Sequence, residues 1–139
     1  MGKKALNVSS LLSRRLHDDR AKEVVKQLLA KDQDGHIVGH IDLRHHGDAY
    51  KSHRLLLGMG VDKSMRQQGL GMRLLQHAIE FCRQQDGIDW LDLNVLSANT
   101  PARNLYLKAG FEIIGEMSDC YRIDGEQVAE TSMTLSTSG

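Results

Sequence analysis

Charge of one sign, cysteine and long apolar runs are all scarce in this chain of 139 residues. Its 18 Lys and Arg offset 18 Asp and Glu, for a net charge of zero. Proteins that hold nucleic acid or an anionic membrane need a basic excess against phosphate. The balance argues against both classes, while leaving room for a small basic site that takes one phosphorylated ligand. Cysteine is limited to Cys82 and Cys120, in no C-x-x-C or zinc-like spacing, which reads as two reduced thiols in a reducing compartment. No run approaches the ~18 apolar residues of a membrane span. The opening Met1-Gly2-Lys3-Lys4-Ala5-Leu6-Asn7 lacks the apolar stretch of a signal peptide. The expectation is a cytoplasmic protein. A hydrophobic fraction of 40% with 26% charged residues supports a real core under a soluble surface, and the length suits one domain over residues 1–139.

Periodicity and punctuation lay out the elements. Asp34-Gly35 reads as a two-residue hairpin turn, followed by a strand from His36 to Leu43. Val24, Val25, Leu28 and Leu29 before it have helical spacing, but a hairpin needs a strand there, so residues 25–31 are assigned to one. Ser10 is placed to cap a short helix carrying Leu11, Leu12 and Leu16. A strand ending at Val61 leads through a polar loop into a helix whose Leu74, Leu75, Ala78, Ile79 and Cys82 form one apolar stripe. Cys82 on that stripe reads as a buried small hydrophobe rather than a nucleophile. After Gly87 comes a strand with Leu91, Leu93 and Val95 on one face and Trp90, Asp92 and Asn94 on the other. A second helix is marked by Thr100 as N-cap, Pro101 at its first position and Gly110 at its end. Two strands, 111–123 and 127–135, join at Asp124-Gly125. The fold class is α/β, a mixed sheet with one crossover helix near its middle.

The segment Arg66-Gln67-Gln68-Gly69-Leu70-Gly71-Met72 opens the first helix. A helix start has backbone N–H groups without internal partners and a partial positive charge. Glycines let a phosphate approach that backbone, and Arg66 adds a forked cation. Alone, the segment marks an anion site. It is not a dinucleotide fingerprint, because Leu74 stands where a third glycine belongs, and it lacks the Gly-Lys-Ser/Thr of a P-loop.

Arg66-Gln67-Gln68-Gly69-Leu70-Gly71, after a strand ending at Val61, resembles the acyl-CoA pyrophosphate loop of the GNAT superfamily of N-acetyltransferases (R/Q-x-x-G-x-G/A). Asn99-Thr100-Pro101-Ala102-Arg103-Asn104-Leu105-Tyr106-Leu107-Lys108-Ala109-Gly110-Phe111 is similar to its second signature, N-x-x-A-x-x-L-Y-x-x-x-G-F. Val38-Gly39-His40 resembles its V-G-x strand, and the 121–135 hairpin its closing pair. The similarity covers residues 34–135. It implies the acyl-CoA N-acyltransferase fold, a mostly antiparallel central sheet with a β-α-β crossover and flanking helices. The implied activity moves the acetyl group of acetyl-CoA to a primary amine, either a small amine or amino acid or a protein or peptide amine, by direct attack on the thioester and without a metal.

By the same resemblance, N–H groups around Gln67, Gly69, Gly71 and Met72 hold the pyrophosphate, with Arg66, Gln68 and Leu70 in the same loop. The Met59, Gly60 and Val61 edge pairs with pantetheine amides and lends N–H groups to the oxyanion, and Gly58 and Gly60 fit a bulged strand there. Asn99, Ala102 and Tyr106 complete the cofactor site, with Tyr106 the general acid. Arg73 and Arg103 are candidates for the 3′-phosphate. Two features depart from the family pattern. The strand before the loop carries no acid, which leaves His53 through water, Asp92, Asn94, Asp42 or bulk water as the base. Only about 20 residues precede the hairpin, room for a short strand at Ala5–Val8 and one helix, so the acceptor pocket is either open or completed by a second subunit in a homodimer. The rival reading is a non-catalytic acyl-CoA-binding sensor. His36, His40, His45 and His46 read as a solvent-exposed polar face rather than a metal site.

Overall fold

Alternating side chains lay out the sheet, and among the described residues two amphipathic helices close its apolar face. In a computed structural model, described over residues 7–12 (backbone only), 24–66 and 69–138, seven strands run in the order β1-β2-β3-β4-β5-β7-β6. They are β1 (Asn7–Leu12), β2 (Val24–Lys31), β3 (Ile37–His45), β4 (Arg54–Val61), β5 (Trp90–Leu96), β6 (Glu112–Ile123) and β7 (Glu126–Ser136). All neighbours pair antiparallel except β4 and β5. That parallel pair requires a crossover, supplied by helix α1 (Leu70–Gln84). Helix α2 (Thr100–Ala109) links β5 to β6. The expected mixed, mostly antiparallel sheet is present.

The α1 stripe is buried from Leu70 through Leu74, Leu75, Ala78 and Ile79 to Cys82. It meets Ile41 and Leu43 of β3, Leu55 and Leu57 of β4, and Leu91 and Leu93 of β5 in one core. A Cβ at Gly39 would come within 3.0 Å of Leu74 Cδ1, so the glycine of the V-G pair on β3 lets α1 sit close on the sheet. No helix among the described residues is long and apolar enough to cross a membrane.

Several local expectations give way. Ser10, Leu11 and Leu12 form no helix; they lie in β1, paired from Asn7↔Lys31 to Leu12↔Lys26. A few residues of helix are marginal by themselves, whereas the β2 edge offers a ladder. Leu16 lies outside the described residues. The first hairpin loop has three residues, not two. Gly35 N–H donates to the Asp32 carbonyl, and Asp32 N–H to the His36 carbonyl. The Asp32 carboxylate also accepts the N–H groups of Asp34 and His36, so Asp32, absent from the sequence reading, fixes the turn. The Asp124-Gly125 turn does hold two residues, both at positive φ. The β3–β4 ladder runs without a shift from Gly39↔Val61 to His45↔Leu55, so Gly58 and Gly60 create no bulge on that side.

Candidate active site

The parallel ladder between β4 and β5 stops early. It holds from Arg54↔Trp90 to Leu57↔Leu93. Beyond that point β4 stays with β3 as far as Val61, and β5 stays with β7 as far as Leu96. The two central strands therefore part into a fork. Its β4 arm is Gly58, Met59, Gly60 and Val61, whose inner edge has no ladder partner among the described residues. An unpaired strand edge offers alternating N–H and C=O groups to an extended, amide-bearing ligand.

The fork opens beside the start of α1. Gly69 caps that helix at φ 79, where a side chain would be strained, and contributes no side-chain hydrogen bond. The first turn contains no acidic residue. The first helical bond to form is Arg73 N–H to the Gly69 carbonyl, which leaves the Leu70, Gly71 and Met72 N–H groups without partners among the described residues. This is an anion-binding geometry. Arg66 is exposed and folds back so that its Nε donates to the Val61 carbonyl at 3.4 Å. Gln67 and Gln68 lie outside the described residues.

Helix α2 completes this side. A Cβ at Gly71 would lie 3.0 Å from Leu105 Cδ2, 3.7 Å from Met59 Cε and 3.9 Å from Val61 Cγ2. The loop, the β4 arm and the second motif, widely separated in sequence, thus meet at one point. Asn99, rather than Thr100, caps α2: its side chain accepts the Ala102 N–H at 3.3 Å. Both residue types make good caps, and local pattern does not separate adjacent ones. Ala102 is half-buried against the core. Tyr106 is buried, edge-on to Phe111 at 5.9 Å between ring centres. Burial pushes its phenol above the ordinary value. Arg73 is exposed, whereas Arg103 is half-buried and its Nη1 donates to the Ser97 carbonyl at 3.2 Å.

On the sheet face turned from the core lies a cavity of about 320 Å³. Leu93 and Asn94 border it at the fork, and Arg54, Asp92, His46 and Lys51 lie farther along the same face. Arg54 Nε donates to Asp92 Oδ2 at 2.8 Å and Nη2 to Oδ1 at 2.6 Å. Thr134 donates to Oδ1 at 2.6 Å, and His46 Nε2 sits 2.9 Å from Oδ2. Burial alone would raise the Asp92 carboxyl, but the hydrogen bonds from Arg54, Thr134 and His46 outweigh it and hold the carboxyl below its usual range.

Of the base candidates, Asp92 is held as a structural anion. Asp42 bonds Gln27 and lies near His40 and Arg44. Asn94 accepts from Ser132, and His53 is exposed. His46 departs from the exposed face assigned to it, with a side chain only 18% exposed. Cys82 is fully buried, and burial pushes its thiol up to about 11. Asp32, Asp34 and His36 bring ligand-type atoms together in the first hairpin, where Asp32 already serves the turn.

Comparison with known proteins places this geometry among acetyltransferases. The model described as "Acetyltransferase (GNAT) family" matches residues 7–111. An L-amino acid N-acetyltransferase, AaaT, of Escherichia coli strain K12 is 34% identical over 104 residues, covering 75% of this chain and 64% of its own length. A mycothiol acetyltransferase of Clavibacter sepedonicus is 36% identical over 98 residues, 68% of this chain and 31% of its own. The chain therefore spans under two thirds of either relative. Among solved structures, a GNAT-family acetyltransferase of Streptococcus pneumoniae superposes with a TM-score of 0.75 at 27% identity, covering 83% of this chain and 67% of that one. Salmonella typhimurium yncA, solved with its cofactor acetyl-CoA, gives 0.75 at 19% identity over 81% of this chain and 64% of that one; at that identity the likeness is of fold.

Proposed function

The chain belongs to the Acetyltransferase (GNAT) family, and from that premise we propose that it transfers the acetyl group of acetyl-CoA to a small primary amine by direct attack on the thioester. One observation carries this reading: the β4–β5 fork opens directly beside a helix start whose first N–H groups have no partner among the described residues and suit an anion. A ligand with a diphosphate at one end and an amide-bearing arm at the other fits both features at once. The pyrophosphate sits on the N–H groups of residues 69–72, with Arg66 alongside and Gln67 and Gln68 in the same loop. The arm adds to the Met59–Val61 edge, and N–H groups there stabilise the oxyanion that forms on attack. Asn99 and Ala102 belong to the wall that α2 contributes. Tyr106 is the group that returns a proton to the departing thiolate. The small acceptor rests on the cavity beside the fork, whose volume lies at the low end for ligand sites, and on the amino-acid substrate in the name of the 34% identical relative.

The test is to incubate the protein with acetyl-CoA and a panel of amino acids, polyamines and peptide N-termini and to follow free thiol. Turnover is expected with small amines. Tight CoA binding with no turnover across the panel would instead identify a non-catalytic acyl-CoA-binding module.

A further inference from the structure

The cavity next to the fork contains a proton acceptor that the family motifs do not include. We propose that His46, oriented by Asp92, takes the proton from the acceptor ammonium, an inference that rests on the acetyl transfer proposed above. A primary ammonium near pKa 10 cannot attack a thioester until it is deprotonated. The β4 strand, Arg54–Val61, offers no carboxylate for that step. Asp92 cannot provide it either. Its Oδ1 accepts from Arg54 and Thr134, and its Oδ2 from Arg54 and His46, which fills the four lone-pair directions of a carboxylate.

The same saturation defines what His46 can do. Asp92 is an anion and accepts only, so His46 Nε2 is the donor in the 2.9 Å contact. In the neutral ring Nδ1 then carries the lone pair. Arg54 already neutralises Asp92 through two bonds, so the carboxylate orients the ring without a full unpaired charge beside it. The charged groups around His46 are Asp92 from β5, Arg54 from β4 and Lys51 from the loop between β3 and β4, all lining the cavity. Asn94, at the fork, is two residues beyond Asp92, a rise of ~7 Å, which takes a relay of about two waters at ~2.8 Å per hydrogen bond.

The transfer balances. His46 takes one proton from the ammonium through the water relay, and the freed nitrogen pair forms a bond to the thioester carbon. As the tetrahedral adduct collapses, the C–S bond breaks with its electrons passing to sulfur. The adduct nitrogen releases its second proton to solvent, the thiolate is protonated from solvent or from Tyr106, which then regains a proton from solvent, and His46 discharges to bulk water.

His46→Gln separates base from scaffold, because its amide N–H still reaches toward Asp92 while it has no basic nitrogen. With an amine that the wild-type protein acetylates, kcat near neutral pH is expected to fall ~10²-fold, with KM for acetyl-CoA and the melting temperature unchanged. The deficit should shrink as pH rises toward about 10, where free amine forms unaided. His46→Asn, which gives up the Asp92 contact, should show the same pH-dependent deficit. Unaltered kcat, or an equal deficit at every pH, overturns the assignment of His46 alone. A wild-type protein that acetylates no amine overturns the proposed activity, and this inference with it.

Discussion

Tyr106 has two duties that pull against each other. Its ring is buried and packs edge-on against Phe111, closing α2 over the core. That burial raises the phenol, so the proton is fully held at neutral pH but given up less readily. An ordinary phenol near 10 already lies above a thiol near 8.5, and the raised value widens the gap. Tyr106→Phe should therefore lower kcat by about 10²-fold or less, the bottom of the range for proton transfer, with CoA affinity intact. The hydroxyl makes no hydrogen bond among the described residues and the ring is preserved, so the melting temperature should hold as well. Steady-state kinetics where chemistry limits the rate, with calorimetric CoA titration, tests this; an unchanged kcat removes Tyr106 from the mechanism. Cys82 offers no competing covalent route, since burial pushes its thiol up to about 11 and leaves almost no thiolate at neutral pH.

At the scale of elements, the contact between the α1 start, the β4 arm and α2 is tight enough to be tested by one side chain. A Cβ at Gly71 meets Leu105 Cδ2 at 3.0 Å. The branched Gly71→Val must push Leu105 or tilt the first turn of α1, the turn whose N–H groups are proposed to hold the pyrophosphate. Overpacking of this kind costs about 1–3 kcal/mol, and CoA affinity should drop at least about tenfold, because a displaced helix start no longer aims its donors. Urea unfolding and CoA titration check the two parts, and a variant that binds CoA normally would show that this turn does not hold the pyrophosphate. Both glycines of that loop were legible in the sequence, as were α2 between Pro101 and Gly110 and the Asp124-Gly125 hairpin. Each is encoded by neighbours within a few positions. The Asp92 cluster was not legible. His46, Arg54, Asp92 and Thr134 are separated by 8, 38 and 42 residues along the chain, and only the pairing of β3, β4, β5 and β7 brings them together. His46 also follows the end of β3, where period-two alternation no longer says which way a side chain points. The helix expected from Ser10 onward failed for a related reason: the short strand expected at residues 5–8 instead runs from Asn7 to Leu12, because its partner strand decides its extent.

Across the whole molecule, the sheet is two antiparallel halves, β1-β2-β3-β4 and β5-β7-β6, joined by four parallel pairs. The fork that suits the site also shortens this seam. Helices α1 and α2 brace it on the core face, and the Arg54–Asp92–Thr134 cluster ties β4, β5 and β7 on the other. Arg54 further stacks over Trp90 at 4.9 Å. The Asp92 side chain is 12% exposed, so removing Arg54 leaves a charge that water can barely reach. Arg54→Met should then cost on the order of 3 kcal/mol, at the lower end for a broken buried pair because the cavity opens beside it. The pH dependence follows from the same carboxyl. Its folded value is depressed, so its contribution is complete above the unfolded value of about 3.9 and fades as pH falls through the lower folded value. Wild-type stability should therefore decline through that acid window, up to about 1.4 kcal/mol per pH unit for one proton. Asp92→Asn should be less stable near neutrality yet decline less steeply in acid. Urea unfolding of both proteins from about pH 6 to pH 2 measures the two slopes. Parallel slopes would mean that Asp92 does not govern the acid response and that the seam is held by its helices and its four backbone pairs.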